Sequence, residues 1–273
     1  MSAIDESYLD SQRVSSVLRK PVLEAAIEVV DPNRGSTGLD LACGTGTMTF
    51  LLADWVGDRG HVTGLDVSPQ FLDYARSVAS SSGLSGSVEF KQGSAQRLPF
   101  GDASFDWTWS VDFVGYGTSN TGELINEMAR VVRPGGKVAV MAWASERLLP
   151  GYPLLEAKLA ATRSGLAPFR TGMPESLHLS RNLGWFRRAG LRDPQARAIA
   201  GSAHAPLSDD LRAALIDLLK MRWMNVESEL TAEELAEYRR LCNPDSPDFL
   251  LDHPDYYAFF TYSLFWGEVR DRD

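Results

Sequence analysis

The sequence is short of cysteine, of histidine and of positive charge, and each shortage excludes a class of protein. The two cysteines, Cys43 and Cys242, cannot form a disulfide framework, and neither they nor the four histidines show the spacing of a metal site. We therefore expect no metal ion. The 27 lysines and arginines are outnumbered by 36 acidic residues, which gives a net charge of -9. Nucleic acid is not an expected partner, because phosphate binding requires clustered basic side chains.

Long apolar runs are missing as well. No stretch approaches the roughly 20 apolar residues that a helix needs to cross a bilayer. The first ten residues, MSAIDESYLD, are polar and acidic rather than signal-like. The sequence thus predicts no membrane span and a cytoplasmic location. Its 273 residues suffice for one large domain with its own cover. The oligomeric state stays open, with a homodimer as one option.

What the sequence does contain is a regular alternation of short apolar strands and capped helices. This alternation is typical of a parallel sheet covered on both faces. The predicted strands lie at 39–41, 61–67, 88–91, 105–110, 137–143, 196–199 and 256–265. We interpret the chain as a single domain, 1–273, in which cover segments surround a cofactor-binding core. These parts are an N-terminal helical cover at 1–35, the core at 36–143 and lid insertions at 144–180 and 201–250.

One turn, at residues 42–46, joins the first strand directly to a helix. Its small residues let the backbone approach a ligand, and the helix N-terminus presents unpaired N–H groups. We therefore expect a nucleotide-like cofactor there. The dinucleotide fingerprint G-x-G-x-x-G is incomplete, because Thr49 stands in place of its third glycine. The pattern begins instead with an acidic residue, Asp40, which we expect to accept hydrogen bonds from the N–H groups of the turn.

A second carboxylate follows at the end of the next strand. Asp66 lies 20 residues beyond Gly46, a position suited to gripping the two hydroxyls of a cofactor ribose. The alternative is that Asp66 is a carboxylate at the N-terminus of the next helix, just before its N-cap Ser68 and Pro69. Both interpretations place this carboxylate at the same strand end.

Together these residues resemble the class I S-adenosylmethionine-dependent methyltransferases, in particular the small-molecule enzymes of quinone and natural-product biosynthesis. The resemblance covers residues 22–143 in detail. Its motifs are LDLACGTG (39–46), GLDVSPQFLDYAR (64–76), GSAQRLPFGDASFD (93–106) and EMARVVRPGGKVAV (127–140). It implies an α/β fold of the Rossmann-like, doubly wound kind. We expect a mostly parallel seven-stranded sheet with helices on both faces, an antiparallel last strand and a helical lid insertion.

The resemblance also implies the cofactor, S-adenosyl-L-methionine, and its product, S-adenosyl-L-homocysteine. Asp66 would hold the ribose and Val67 would lie against the adenine. Where the family usually places an aspartate to accept from the adenine amino group, this chain has Ser94, so a weaker hydrogen bond, or one made by backbone and water, is implied. The other cofactor-binding residues that the resemblance indicates are Asp40, Ala42, Cys43, Gly44, Gly46, Gly93, Ala95, Ser110 and Val111.

Catalytic residues are harder to identify. Several related enzymes carry acidic-x-x-His-His after the fourth strand, where a histidine serves as base. Here Asp112 keeps the acidic position, but Gly115 and Tyr116 replace the histidines. Asp112 is a candidate base or ligand contact, with a structural strand-end role as the alternative. Tyr116 is a second candidate, with a place in the pocket wall as its alternative. The cover histidines His178, His204 and His253 remain further options.

The expected activity is methyl transfer by direct displacement to a small, hydrophobic or aromatic metabolite. A direct displacement requires mainly that nucleophile, methyl carbon and sulfur be aligned. Aromatic residues crowd residues 256–266 and suit such an acceptor. Most of them are expected in the core, in a strand buried on both faces. Two alternatives remain, an NAD-dependent oxidoreductase and a non-catalytic ligand-binding protein with this fold.

Overall fold

A computed structural model describes residues 6–114, 120–166 and 178–270 of the chain. The strands are β1 (Thr37–Leu41), β2 (His61–Asp66), β3 (Val88–Gln92), β4 (Phe105–Val111), β5 (Val132–Arg147), β6 (Arg192–His204) and β7 (Tyr257–Glu268). The helices are α1 (Glu6–Val30), α2 (Thr47–Val56), α3 (Pro69–Ser81), α4 (Thr121–Arg130), α5 (Pro153–Ala160), α6 (Arg163–Leu166), α7 (Asn182–Arg188), α8 (Asp209–Arg222) and α9 (Ala232–Cys242).

All seven strands form one sheet in the order β3-β2-β1-β4-β5-β7-β6. The first five strands are parallel, and β7 runs antiparallel to both of its neighbours, β5 and β6. The predicted fold class is confirmed: the sheet is Rossmann-like, doubly wound and mostly parallel, with its last strand antiparallel. Connections leave β1 toward β3 and then return to β4 beside it. That reversal opens a crevice between β1 and β4, where doubly wound sheets bind ligands.

Helices cover both faces because the central strands are apolar on both sides. In β5, Val138 and Val140 pack in one buried cluster with residues of α4 and α7. Ala139 and Met141, which alternate with them, pack in the other cluster with residues of α1, α2 and α8. Because side chains alternate between the two faces of the sheet, β5 contributes residues to both hydrophobic cores.

A helix that contains a proline and a strand longer than predicted are two features of the fold. Helix α1 runs from Glu6 through Pro21 to Val30. Proline removes the hydrogen bond to the carbonyl four residues earlier, which belongs to Val17, an exposed residue of α1. The fifth strand was expected at 137–143. It extends instead from Val132 to Arg147, with a break in its register against β4 around Gly135.

The aromatic strand β7 is not buried on both faces throughout. Tyr257 is 52% exposed and Phe259 is 36% exposed, whereas Phe260 and Tyr262 are buried. Side chains alternate along a strand. At this end of β7 only the face with Phe260 and Tyr262 packs into the core.

Helical segments lie around the carboxyl end of the sheet. Two of them, α5 and α6, follow β5, and two more, α8 and α9, connect β6 to β7. The N-terminal helix α1 packs against α8 and β6. These elements place an N-terminal helix and an internal helix side by side over the crevice.

Candidate active site

The turn after β1 takes a left-handed backbone conformation at three positions. The φ angles of Ala42, Gly44 and Gly46 are 58°, 53° and 85°. A Cβ atom on Gly46 would lie 3.0 Å from the ring of Phe50, whereas one on Gly44 would meet no protein atom within 4 Å. Gly46 therefore allows tight packing beneath the turn. Gly44 leaves open space above it, where a ligand can approach the backbone.

Asp66 holds this turn in place. Its Oδ2 accepts a hydrogen bond from the Gly44 N–H at 2.9 Å, and its Oδ1 accepts one from the Ser68 N–H at 2.9 Å. The carboxylate therefore joins the loops that follow β1 and β2. The N-cap of α3 is Ser68, whose hydroxyl accepts from the Phe71 N–H at 3.3 Å. Asp66 is 9% exposed, and it lines a cavity.

Asp40 does not play the role expected of it. Its Oδ2 accepts a hydrogen bond from the Thr49 hydroxyl at 2.6 Å, inside α2. The carboxylate that accepts from a turn N–H group is that of Asp66. Asp40 is almost fully buried. Burial raises the pKa of this carboxyl to about 7; the Thr49 hydroxyl opposes the increase, and the negative charge of Asp66 adds to it.

A cavity of about 590 Å³ begins at this turn and extends beneath α1 and α8. Its volume is in the range of small-molecule sites. Lining residues from the sheet side and from α2 and α3 include Asp40, Ala42, Cys43, Gly44, Thr45, Thr47, Met48, Asp66, Phe71, Val111, Asp112, Phe113, Trp143 and Tyr262. Those from the covering elements are Ser15, Leu18, Arg19, Leu23, Ser164, Asp217, Leu218, Met221, Arg222 and Met224.

Half of the twelve predicted cofactor residues line the cavity: Asp40, Ala42, Cys43, Gly44, Asp66 and Val111. Gly46 is not among the lining residues, and Ser110 is fully buried in the sheet. Neighbouring side chains of a strand point to opposite faces, so the Ser110 side chain does not share the face on which Val111 meets the cavity. Burial also raises the pKa of the Cys43 thiol, which keeps it neutral in the cavity wall.

The predicted adenine-side residues adjoin the cavity without lining it. Val67, directly after Asp66, is 49% exposed. The Gly93 N–H donates to the Asp66 carbonyl at 2.9 Å, which places Gly93, Ser94 and Ala95 beside the end of β2. Ala95 is buried. These residues stay predictions for the adenine side of the site.

The far part of the cavity is organised around Asp112, which has a left-handed backbone with φ of 51°. Its Oδ1 accepts from the Trp143 N–H at 2.9 Å, and its Oδ2 accepts from the Tyr262 hydroxyl at 2.9 Å. Arg19 donates to the same Oδ2 at 3.4 Å. Burial and the charge of Asp112 raise the pKa of Tyr262 well above its ordinary value. We call Arg19, Asp112, Trp143 and Tyr262 the far-end cluster.

A buried ion pair fixes the covering elements to the sheet. Arg222 at the end of α8 donates to Glu146 Oε1 through Nε at 2.8 Å and Nη2 at 2.6 Å. The Trp143 indole N–H donates to Glu146 Oε2 at 2.5 Å, and Arg222 also donates to the Gly165 carbonyl at 3.1 Å. One carboxylate thus connects β5 to α8, and through Arg222 to α6.

The outcome for the predicted catalytic residues is mixed. Asp112 lies on the cavity wall, whereas Tyr116 lies outside the described residues. Within the described chain, no histidine is among the residues that line the cavity. Sequence reasoning missed Arg19, although a signal existed. Arg19 interrupts the apolar stripe of α1 that contains Leu18 and Val22.

Neither a metal-binding cluster nor a membrane-spanning helix is present in the described part of the chain. No group of three or more histidine, cysteine, aspartate or glutamate side chains there could hold a metal ion. No helix within 6–114, 120–166 or 178–270 has the length and apolar character needed to cross a bilayer.

Comparison with known proteins points to one family. Residues 39–136 match the family described as a methyltransferase domain. The demethylmenaquinone methyltransferase of Desulfitobacterium hafniense is 38% identical over 130 residues, which are 46% of this chain. This chain spans about half (49%) of that relative's length. The demethylmenaquinone methyltransferase of Bacillus licheniformis is 28% identical over 74% of this chain and 91% of its own length.

A solved structure shares the fold. Geranyl diphosphate C-methyltransferase from Streptomyces coelicolor, in complex with Mg²⁺, geranyl diphosphate and S-adenosyl-L-homocysteine, superimposes with a TM-score of 0.54. It is 15% identical, and the match covers 92% of this chain and 81% of that one. The glycine turn and the strand-end carboxylate both lie within the matched region. Over residues 39–136 the chain is therefore similar to methyltransferase domains.

Proposed function

We propose that this protein transfers a methyl group from S-adenosyl-L-methionine to a small, hydrophobic or aromatic acceptor. One observation carries the proposal. A single cavity joins the turn held by Asp66 to a far end lined by Trp143, Tyr262, Leu218 and Met221. A cofactor at the turn and an apolar acceptor at the far end would share one continuous cavity.

The residues of the turn fit this cofactor. Each oxygen of the Asp66 carboxylate accepts one backbone hydrogen bond in the structure. A carboxylate has about four lone-pair sites, so acceptor capacity remains for two ribose hydroxyls. The open space at Gly44 gives the methionine portion access to the backbone. Asp40, Ala42, Cys43 and Gly46 complete this side of the proposed site, and Val67 and Gly93 to Ala95 are proposed for the adenine.

When bound, the cofactor supplies an electrophilic methyl group. The chain's own contribution is alignment and enclosure, which can account for a large share of the barrier to a displacement. Glu146 and Arg222 hold α8 against β5 and thereby keep the far end covered. Asp112 accepts from three protein donors, so we assign it to positioning Arg19 and Tyr262 rather than to proton abstraction.

The acceptor class is supported by the relatives and by the lining. Their names specify demethylmenaquinone, and the solved neighbour holds geranyl diphosphate. We propose that 1–35, 144–180 and 201–250 act as the cover that encloses such an acceptor, since Arg19, Ser164 and Met221 reach the cavity from these segments.

The two alternatives are less well supported. A dinucleotide site would need glycine at position 49, where Thr49 instead donates to Asp40. A non-catalytic binding protein would not require a cavity that extends beyond the cofactor turn. An enzyme that aligns two ligands does require one.

The test is isothermal titration calorimetry with S-adenosyl-L-methionine, S-adenosyl-L-homocysteine and NADH. We expect both sulfur compounds to bind and NADH not to bind. In Asp66→Asn, affinity should fall by about 1–3 kcal/mol, which is roughly 5- to 150-fold. Asp73→Asn on α3, whose side chain is 73% exposed, is the matched control and should bind as the wild type does. Binding of NADH with no heat from the sulfur compounds would overturn the proposal.

A further inference from the structure

Arg19 is an unusual residue for the middle of an apolar helix face. Its neighbours on that face, Leu18, Val22 and Leu23, are all buried. The Arg19 side chain is itself only 15% exposed, and it lines the cavity. Burial of a cation is costly unless it is compensated or used, so the position requires a physical explanation.

The far-end cluster fixes the orientation of this guanidinium. Asp112 and Tyr262 both hydrogen-bond to it. The Arg19–Asp112 distance of 3.4 Å is long beside the 2.7–2.9 Å typical of charge-assisted bonds. By contrast, Arg222 approaches Glu146 to 2.6 Å. Asp112 divides its two oxygens among Trp143, Tyr262 and Arg19, so it compensates the charge of Arg19 less closely than Glu146 compensates that of Arg222.

Aromatic side chains line the same cavity as Arg19. Trp143 stacks on Phe260 with ring centroids 4.6 Å apart and meets Tyr262 edge-on at 5.5 Å. Trp143 also donates its backbone N–H to Asp112, so the indole and the guanidinium belong to one connected cluster. A flat ring bearing a negative oxygen would match both parts of this surface.

We propose that Arg19 binds an anionic oxygen of the methyl acceptor, carried on a planar ring that packs against Trp143. This rests on the proposed function and specifies its substrate class: a phenolate, an enolate or a ring carboxylate. A guanidinium presents five N–H donors in a fixed fork, and that of Arg19 lines the cavity. Because this side chain is largely buried, its attraction for an anion is stronger than in bulk water.

An ionised acceptor also fits the described part of the cavity lining, which offers no evident general base. No histidine is among the described residues that line the cavity, and Asp112 already accepts three hydrogen bonds. Where that ionised oxygen is the nucleophile, no general base is needed: the O–CH₃ bond forms as the CH₃–S bond of the cofactor breaks, S-adenosyl-L-homocysteine leaves, and no proton is released. Arg19 would favour that ionised form by its charge.

The experiment measures binding of two matched pairs of probes to the full-length protein saturated with S-adenosyl-L-homocysteine. The carboxylate pair is 1-naphthoate and its neutral analogue 1-naphthamide. The phenolate pair is 2,4-dinitrophenolate and neutral 2,4-dinitroanisole. We expect the wild type to prefer the anion in at least one pair, and the pair that shows the larger preference identifies the acid group. Equal affinity for anion and neutral analogue in both pairs would overturn the proposal.

Arg19→Gln should reduce anion affinity about tenfold or more and leave affinity for the neutral analogues and for S-adenosyl-L-homocysteine unchanged. Arg59→Gln, at an exposed loop position, is the matched control. If Arg19→Gln does not fold, Arg19→Lys carries the test, since it should keep the preference for anions while binding them more weakly. Unchanged anion affinity in either folded variant would refute the role of Arg19. Absence of S-adenosyl-L-homocysteine binding in the wild type would instead refute the proposed function.

Discussion

The carboxylates of Asp66 and Asp40, both near the cofactor turn, have different roles because their surroundings differ. Asp66 accepts two backbone N–H bonds at the cavity wall, whereas Asp40 is enclosed beneath the turn with the Thr49 hydroxyl. Burial disfavours the charged form of Asp40 and raises its pKa to about 7. Asp66 thus joins two loops beside the cavity, and Asp40, also on the cavity wall, stabilises the start of α2.

The raised pKa of Asp40 predicts a pH-dependent stability. Between pH 3.8, its ordinary pKa, and about 7, the folded state holds a proton that the unfolded state has lost. Stability from this group is therefore complete below pH 3.8 and falls as the pH rises toward 7, by an amount on the order of 4 kcal/mol. The side chain of Asp40→Asn cannot ionise, so this variant should not lose stability in the same way. The free energy of unfolding of Asp40→Asn minus that of the wild type should therefore increase from pH 3.8 to about 7.

Urea unfolding of both proteins between pH 4 and 8 measures this difference. Asp58→Asn, in an exposed loop, serves as control and should show no such trend. A constant difference between Asp40→Asn and the wild type would show that Asp40 ionises normally.

The two glycines of the turn should respond differently to alanine. Both have positive φ, so each substitution costs about 1–2 kcal/mol of strain. In Gly46→Ala the new methyl group also meets Phe50 at 3.0 Å and Phe90 at 3.1 Å, so stability should fall further. In Gly44→Ala the methyl group enters the cavity, so affinity for S-adenosyl-L-homocysteine should fall more than tenfold. Thermal melts and calorimetry on the pair test this division, and equal effects on both properties would contradict it.

At the scale of elements, the long strand β5 both pairs within the sheet and contacts the covering helix α8. Its middle pairs with β4 and β7 in the sheet, and its end beyond Trp143 carries Glu146 to the covering helix α8. Because β5 extends past the predicted end at residue 143, Glu146 lies beneath α8 and forms an ion pair with Arg222.

The Glu146–Arg222 pair should be strongly coupled. Glu146 is 8% exposed and Arg222 is 13% exposed, so removing one partner leaves a buried charge. We expect Glu146→Gln and Arg222→Met each to lower the free energy of unfolding by about 3–5 kcal/mol. The double variant should lose much less than the sum. The exposed pair Lys20–Glu24 is the control, for which losses of about 0–1 kcal/mol are expected. Additive losses at Glu146 and Arg222 would show that the pair does not act as a unit.

On the scale of the whole molecule, the cavity lies where several elements meet. The sheet reverses its direction of growth between β1 and β4, while α1 and α8, distant in sequence, close over the same point. A ligand in this cavity would contact both the carboxyl ends of the central strands and the covering helices. Its binding should therefore stabilise the molecule as one unit.

S-adenosyl-L-homocysteine should accordingly raise the melting temperature. At 100 times its dissociation constant, a ligand specific for the folded state adds about 2.7 kcal/mol. For a chain of this length that corresponds to roughly 5–10 °C. Differential scanning calorimetry measures the shift, and Asp66→Asn should show less of it at the same ligand concentration. A wild-type melting temperature that does not change with ligand would contradict this prediction.

The sequence by itself determined the sheet and the cofactor side of the cavity. Strand periodicity, capping residues and the spacing from Gly46 to Asp66 are local properties, so the fold class and the place of the turn could be predicted from short stretches. Only the tertiary structure decided which donors the carboxylates accept from, because Asp66 reaches the Gly44 N–H across two adjacent strands. It also decided that Arg19 and Tyr262, 243 residues apart, meet at Asp112. Contacts between distant segments depend on packing, which no local pattern records.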